Sequence, residues 1–281
     1  MTDQSLGASL LEGTSGQATL CVGIDPHAST LTAWGLADDS SGLATFSNAL
    51  VQGVIVSGVS VVKPQVALFE RCGLPGLQVL SDVIGTLREA GVAVIADVKR
   101  GDIGTSLQGY ADAWLQPGSD FESDAMTLVG YQGLGALRPA FDLARDTGKT
   151  VFVLSATSNP EGTDIQRAVT ASGNTVAGEV LSGLQALVGA TPEYRGVLGA
   201  VVGATVDQVL LGVDCDAAPD VVLLVPGFGH QGVALETTGR LFGAATPRVV
   251  AAVSRSVAGD SPDGLEDRIS LARQAVSRGA V

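Results

Sequence analysis

Hydrophobic positions gather into eight short runs along the chain, at residues 20–24, 59–62, 92–96, 124–128, 150–154, 196–202, 220–225 and 248–253. Each is rich in Val, Leu, Ile or Ala, the pattern of a strand buried in a sheet. Between them lie segments of helical or mixed spacing, the clearest at 43–56, 77–90, 134–146 and 265–277. Gly91 supplies the stop for the second of these. Lys63 precedes Pro64, where extended backbone is favoured, and so fits a strand end. Eight strands alternating with helices, with no Pro/Ser linker long enough to divide them, predict a single (β/α)8 TIM barrel over residues 1–281, residues 1–18 forming an N-terminal extension. The main rival is an open doubly wound sheet, but its G-x-G-x-x-G fingerprint is missing after the first strand. The Ser/Thr/Gly/Asp-rich stretches 26–42 and 155–175 are expected as mobile loops at the catalytic face of such a barrel.

Composition narrows the function classes. With 46% hydrophobic and 16% charged residues the chain can bury a large core, while a formal net charge of -13 argues against a nucleic-acid or anionic-membrane surface. Any phosphate it binds must be held by local donors. Cys21, Cys72 and Cys215 are too few and too scattered for a disulfide framework or a zinc site, and read as core fillers in a reducing compartment. The first residues lack the basic region of a signal peptide and no apolar run reaches membrane-spanning length, so a cytoplasmic protein is expected.

The chemistry concentrates where strands end. Asp97 and Lys99 follow the run 92–96, and side chains two apart on a strand share a face, so a carboxylate and an ammonium project side by side. Asp102 lies past Gly101, beyond the strand, and reaches the same place only by a loop or from another subunit. Two readings stand: an ion pair covering a strand end, or a lysine kept protonated between carboxylates that delivers its proton to a carbon. In a barrel the other strand ends add Asp25, Lys63, the stretch Ser155 to Ser158, the glycine-rich loop 226–232 and Arg255. Backbone N–H groups of that loop, with Arg255 beside them, suit a monophosphate site. His27 and His230 have no metal partner at a recognisable spacing and read as solvent-contacting loop residues.

Ala96-Asp97-Val98-Lys99-Arg100-Gly101-Asp102-Ile103 resembles the active-site segment of orotidine 5'-phosphate decarboxylases, in the subgroup whose motif reads A/D-x-K-R-G-D-I. The resemblance covers roughly residues 21–257. It implies that Lys63, Asp97, Lys99 and Asp102 form the family's alternating Lys-Asp-Lys-Asp catalytic array and that Asp25 holds a ribose hydroxyl. It further implies that Ser158, or neighbouring Ser155, reads the pyrimidine amide, that Gln231 and Arg255 bind the phosphate, and that Asp102, Ile103 and Ser106 enter the site of a partner subunit in a homodimer. Ser254-Arg255-Ser256 departs from the more usual Gly-Arg-Ser.

The activity so implied is decarboxylation of orotidine 5'-monophosphate to UMP in de novo pyrimidine biosynthesis, with no metal or other cofactor and no nucleic-acid or membrane partner. Lys99 would protonate C6 of the ring. One alternative is a Mg-dependent sugar-phosphate decarboxylase or synthase of the same superfamily, in which strand two ends in an acidic metal ligand where this chain has Lys63. A Schiff-base aldolase would prefer a desolvated lysine to one flanked by carboxylates. A non-catalytic binding barrel would have no use for the charged array.

Overall fold

The computed structural model describes residues 5–12 and 16–279. All eight expected strands form: β1 Thr19–Ile24, β2 Val61–Pro64, β3 Ala93–Arg100, β4 Ala125–Leu128, β5 Thr150–Ala156, β6 Leu198–Val202, β7 Val222–Pro226 and β8 Val249–Val253. Each pairs in parallel with its sequence neighbour and β8 pairs with β1, closing the barrel. Parallel neighbours require crossovers, and helices such as Ser40–Val56, Gly73–Glu89, Gly104–Leu115, Arg138–Thr147 and Val176–Ala190 supply them. The two stretches expected as loops are partly helical, with Ala28–Ala33 in the first and Thr163–Arg167 in the second.

The strand runs look uniformly apolar because both faces are buried, yet they alternate. Val22, Val62, Val94, Met126 and Val153 pack outward under the helices, in the larger of two hydrophobic clusters. Cys21, Val61, Ile95, Ala125, Phe152, Val222 and Val250 point inward and fill the barrel. Phe152 is the bulkiest of these and fits because β6 opposes it with Gly199, where a Cβ would lie 2.6 Å from its ring. Burying side chains of this size stabilises by about 1.5–3 kcal/mol each.

Part of the segment expected as an extension covers the barrel's lower end. In helix Leu6–Leu11, Leu10 joins the interior cluster, the Gly7 N–H donates to Thr150 Oγ1 at 3.0 Å, and the capping Ser5 hydroxyl donates to the Gly196 carbonyl at 3.1 Å. Residues 1–4 and 13–15 lie outside the described residues. Cys21 and Cys215 are buried as core fillers, while Cys72 is half-buried. No described helix is long and apolar enough to cross a membrane.

Candidate active site

Above the apolar filling, the same inward parity turns polar. Two positions on from Val61 comes Lys63, from Ile95 comes Asp97, and from Ala125 comes Thr127. These residues meet at the strands' C-terminal ends, where Lys63 and Asp97 help to line a cavity of about 330 Å³. Asp97 is its hub. One carboxylate oxygen, Oδ2, accepts from Lys63 Nζ at 2.8 Å, and the other, Oδ1, receives Lys99 Nζ at 2.7 Å and the Thr127 hydroxyl at 2.9 Å. Gln65 Oε1 is a further, longer acceptor for Lys99 at 3.4 Å.

The electrostatics follow from that packing. Burial by itself would drive Asp97 upward, but the charges and hydrogen bonds of Lys63 and Lys99 overcome it and hold the carboxyl below the usual carboxylate range. Burial would likewise pull Lys63 down, and the carboxylates of Asp97 and Asp25 reverse this, leaving the ammonium above its ordinary value. Both groups are therefore ionised at neutral pH. Beneath them Cys21, desolvated first of all, is pushed up to about 12 and stays a thiol.

Asp97 and Lys99 meet as the i, i+2 spacing predicts, but through irregular backbone. Ala96 pairs with Met126 and Arg100 with Leu128, so the three residues Asp97 to Lys99 oppose the single Thr127. This bulge sets Lys99 at φ 46°, and it is the one non-glycine residue with positive φ among those described. A lysine held left-handed costs roughly 1–2 kcal/mol, strain of the kind that accumulates at functional positions. It aims the ammonium of Lys99, whose side chain is 43% exposed, into the cavity over a buried carboxylate.

Asp25, just past β1, lines the same cavity, and its buried Oδ1 has no hydrogen-bond partner among the described residues. A buried carboxylate oxygen left open suits a ligand hydroxyl. Ser158 faces the cavity and donates to Gln231 Oε1 at 3.3 Å, linking the loops after β5 and β7. Ser155 turns away and gives its hydroxyl to the Ala177 carbonyl at 2.8 Å, so of the two serines only Ser158 is available to a ligand. At the far end, Arg255 opens the short helix after β8 with no carboxylate in ion-pair range among the described residues. The loop after β7 closes against it, since Gly229 has φ +74° and a Cβ there would fall 2.3 Å from Ser256 Oγ.

Both histidines are loop residues in contact with solvent, His27 half-buried and His230 exposed, and both line this cavity. Burial first, then the charges of Arg255, Arg71 and His230 against the opposing Asp25, hold His27 below its ordinary pKa. Thr127 and Gln65 were missed. Thr127 hides inside an apolar run, and its shared parity with Asp97 is the signal that could have found it. Asp102, Ile103 and Ser106 do not line the cavity of their own chain. Asp102 Oδ1 accepts the Ile103 N–H at 2.8 Å, and the apolar side chain of Ile103 is 62% exposed.

Lys63, Lys99 and Arg255 thus confront Asp25 and Asp97, so a chain of net charge -13 presents a net cationic cavity at its barrel mouth. Such a site can hold an anion at one end and stabilise carbanionic charge beside Lys99.

The profile of the Orotidine 5'-phosphate decarboxylase / HUMPS family matches residues 18–266. The chain is 43% identical to an orotidine 5'-phosphate decarboxylase of Corynebacterium efficiens over 276 residues, 97% of this chain and 96% of that one. It is 47% identical to one of Salinispora arenicola over 261 residues, 92% of each. Among solved structures, a candidate orotidine 5'-phosphate decarboxylase from Streptomyces avermitilis superposes with a TM-score of 0.87 at 44% identity, covering 99% of this chain and 97% of that one. The OMP decarboxylase of Leishmania donovani does so with a TM-score of 0.71 at 26% identity, covering 98% and 99%.

Proposed function

The chain belongs to the orotidine 5'-phosphate decarboxylase / HUMPS family, and on that premise we propose that its cavity converts orotidine 5'-monophosphate to UMP, with Lys99 as proton donor to C6. Loss of CO2 leaves an electron pair in the plane of the ring, where the ring π-system cannot delocalise it. Stabilisation therefore falls to a fixed charge beside that carbon. Lys99 supplies the charge and then the proton: its N–H bond breaks as the C6–H bond forms, and the lysine leaves the step neutral. Asp97 orients the ammonium, and Lys63 balances Asp97 and reaches the ribose beside Asp25. Ser158 reads the pyrimidine amide, and Gln231 and Arg255 take the phosphate.

The observation that carries this reading is the Asp97 carboxylate with an ammonium on each oxygen, at 2.8 and 2.7 Å. It also weighs against the Mg-dependent sugar-phosphate reaction, because a metal at Asp97 would have to displace Lys63 or Lys99 and tolerate the other. A spectrophotometric assay decides: purified, EDTA-treated protein is expected to consume orotidine 5'-monophosphate at an undiminished rate. Activity lost in EDTA and restored by Mg²⁺ would move the assignment to the sugar-phosphate enzymes.

Arg255 meets a dianion present in substrate and transition state alike, so its removal falls mainly on binding. For Arg255→Ala the expected result is a KM raised roughly ten- to hundredfold, from the loss of a charge-assisted contact, with a smaller fall in kcat as loop closure suffers. Steady-state kinetics check this, and a fall confined to kcat would remove Arg255 from the phosphate site.

The same reading includes a homodimer. Asp102, Ile103 and Ser106 stay out of the lining of their own cavity and the apolar side chain of Ile103 is exposed, an arrangement that suits a two-fold interface in which they complete the partner's site.

A further inference from the structure

We propose that Thr127 is a positioning residue for Lys99, tying the backbone of the proton donor to the carboxylate that holds its ammonium. The inference rests on the decarboxylase reading and adds to it a residue that has no contact with substrate in that scheme. Its basis is the bulge in β3. At the one place where three residues of a strand oppose a single partner, that partner is Thr127, a buried threonine 1% exposed. Its hydroxyl makes two bonds of opposite sense. It accepts the Lys99 N–H at 2.9 Å and donates to Asp97 Oδ1, also at 2.9 Å.

Since a backbone N–H can only donate, the single hydroxyl proton must go to Asp97, and the direction of both bonds is fixed. One side chain therefore holds the left-handed peptide that aims Lys99 and the carboxylate oxygen that receives its Nζ at 2.7 Å. A threonine filling space in a strand needs only its shape. Valine has that shape and would leave the Lys99 N–H without this acceptor and Asp97 Oδ1 without this donor. The arrangement also bears on the reaction. When Lys99 gives its proton to carbon, Asp97 loses one of its two ammonium partners, and the Thr127 hydroxyl remains on that same oxygen to keep the carboxylate in place for reprotonation.

The test compares wild type, Thr127→Val and Thr127→Ser by steady-state kinetics on orotidine 5'-monophosphate, with UMP affinity measured calorimetrically and unfolding followed by circular dichroism. For Thr127→Val, kcat is expected to fall roughly ten- to hundredfold, as loss of a bond to a charged group at a reacting centre implies. KM and UMP affinity should stay within about twofold, since uniform binding is untouched. Serine restores the hydroxyl and should recover most of kcat. A valine variant within about twofold of wild type in kcat, or a serine variant no better than valine, would overturn the proposal. If the valine variant does not fold, Thr127→Ala is read against serine by the same criteria. A wild-type enzyme without turnover would instead sink the decarboxylase reading, leaving the two failures distinct.

Discussion

Lys99→Ala should lower kcat for orotidine 5'-monophosphate by roughly ten-thousandfold, because one side chain supplies two effects of large size. General acid catalysis by a positioned group is worth about 10²–10⁴, and a fixed charge at a developing anion adds about 10²–10³. The two overlap in one residue, so their product is an upper limit. UMP affinity should change little, since Lys99 acts on charge that appears only as CO2 leaves. The fold should survive as well, because Lys63 and Thr127 still satisfy Asp97 and the lost side chain was 43% exposed. Lys99→Arg refines the point: it keeps a cation but holds its proton at any working pH, so it too should be nearly inactive. Single-turnover and steady-state assays beside UMP titration provide the check. An alanine variant retaining a tenth of wild-type kcat would assign proton delivery elsewhere.

The second large effect is a gain. Asp102→Ala and Lys99→Ala chains, each inactive alone, are expected to regain about a quarter of wild-type activity when unfolded together and refolded as an equimolar mixture. Random pairing makes half of the dimers mixed. In a mixed dimer, the site built on the Asp102→Ala chain keeps its own Lys99 and receives a normal Asp102 from its partner, while the other site carries both lesions. Half of the sites in half of the dimers are then intact. Asp102 is outside its own cavity and turned onto the Ile103 N–H, the geometry that motivates the experiment. If Asp102 serves its own chain, every site keeps one lesion and mixing restores nothing.

Much of this molecule was legible in its residues. The eight apolar runs gave the strands because a parallel strand buried on both faces must be apolar nearly throughout, and all eight recur in the closed barrel. Helix positions were read less completely. Gly104–Leu115 and Val176–Ala190 had no distinct signal, since glycine and small residues dilute their periodicity, and Ala28–Ala33 lies within a stretch whose composition suggests a loop. Helices this short form because the barrel packs against them, and composition alone carries little of that.

For the site, strand parity was the usable signal. Charges at Lys63 and Asp97, two positions past inward apolar residues, have only the barrel mouth to occupy, so their convergence follows from the period of the chain. The sequence by itself thus determined the barrel and the end of it at which Lys63, Asp97 and Lys99 gather. Tertiary structure alone decided which hydroxyls serve it. Ser158 faces the cavity while Ser155 bonds Ala177, and Thr127 meets both Lys99 and Asp97, because these outcomes depend on where a neighbouring strand or helix places its own polar atoms. The same holds for the left-handed turn at Lys99. No local preference of lysine favours it, and it exists because β4 offers one residue where β3 presents three.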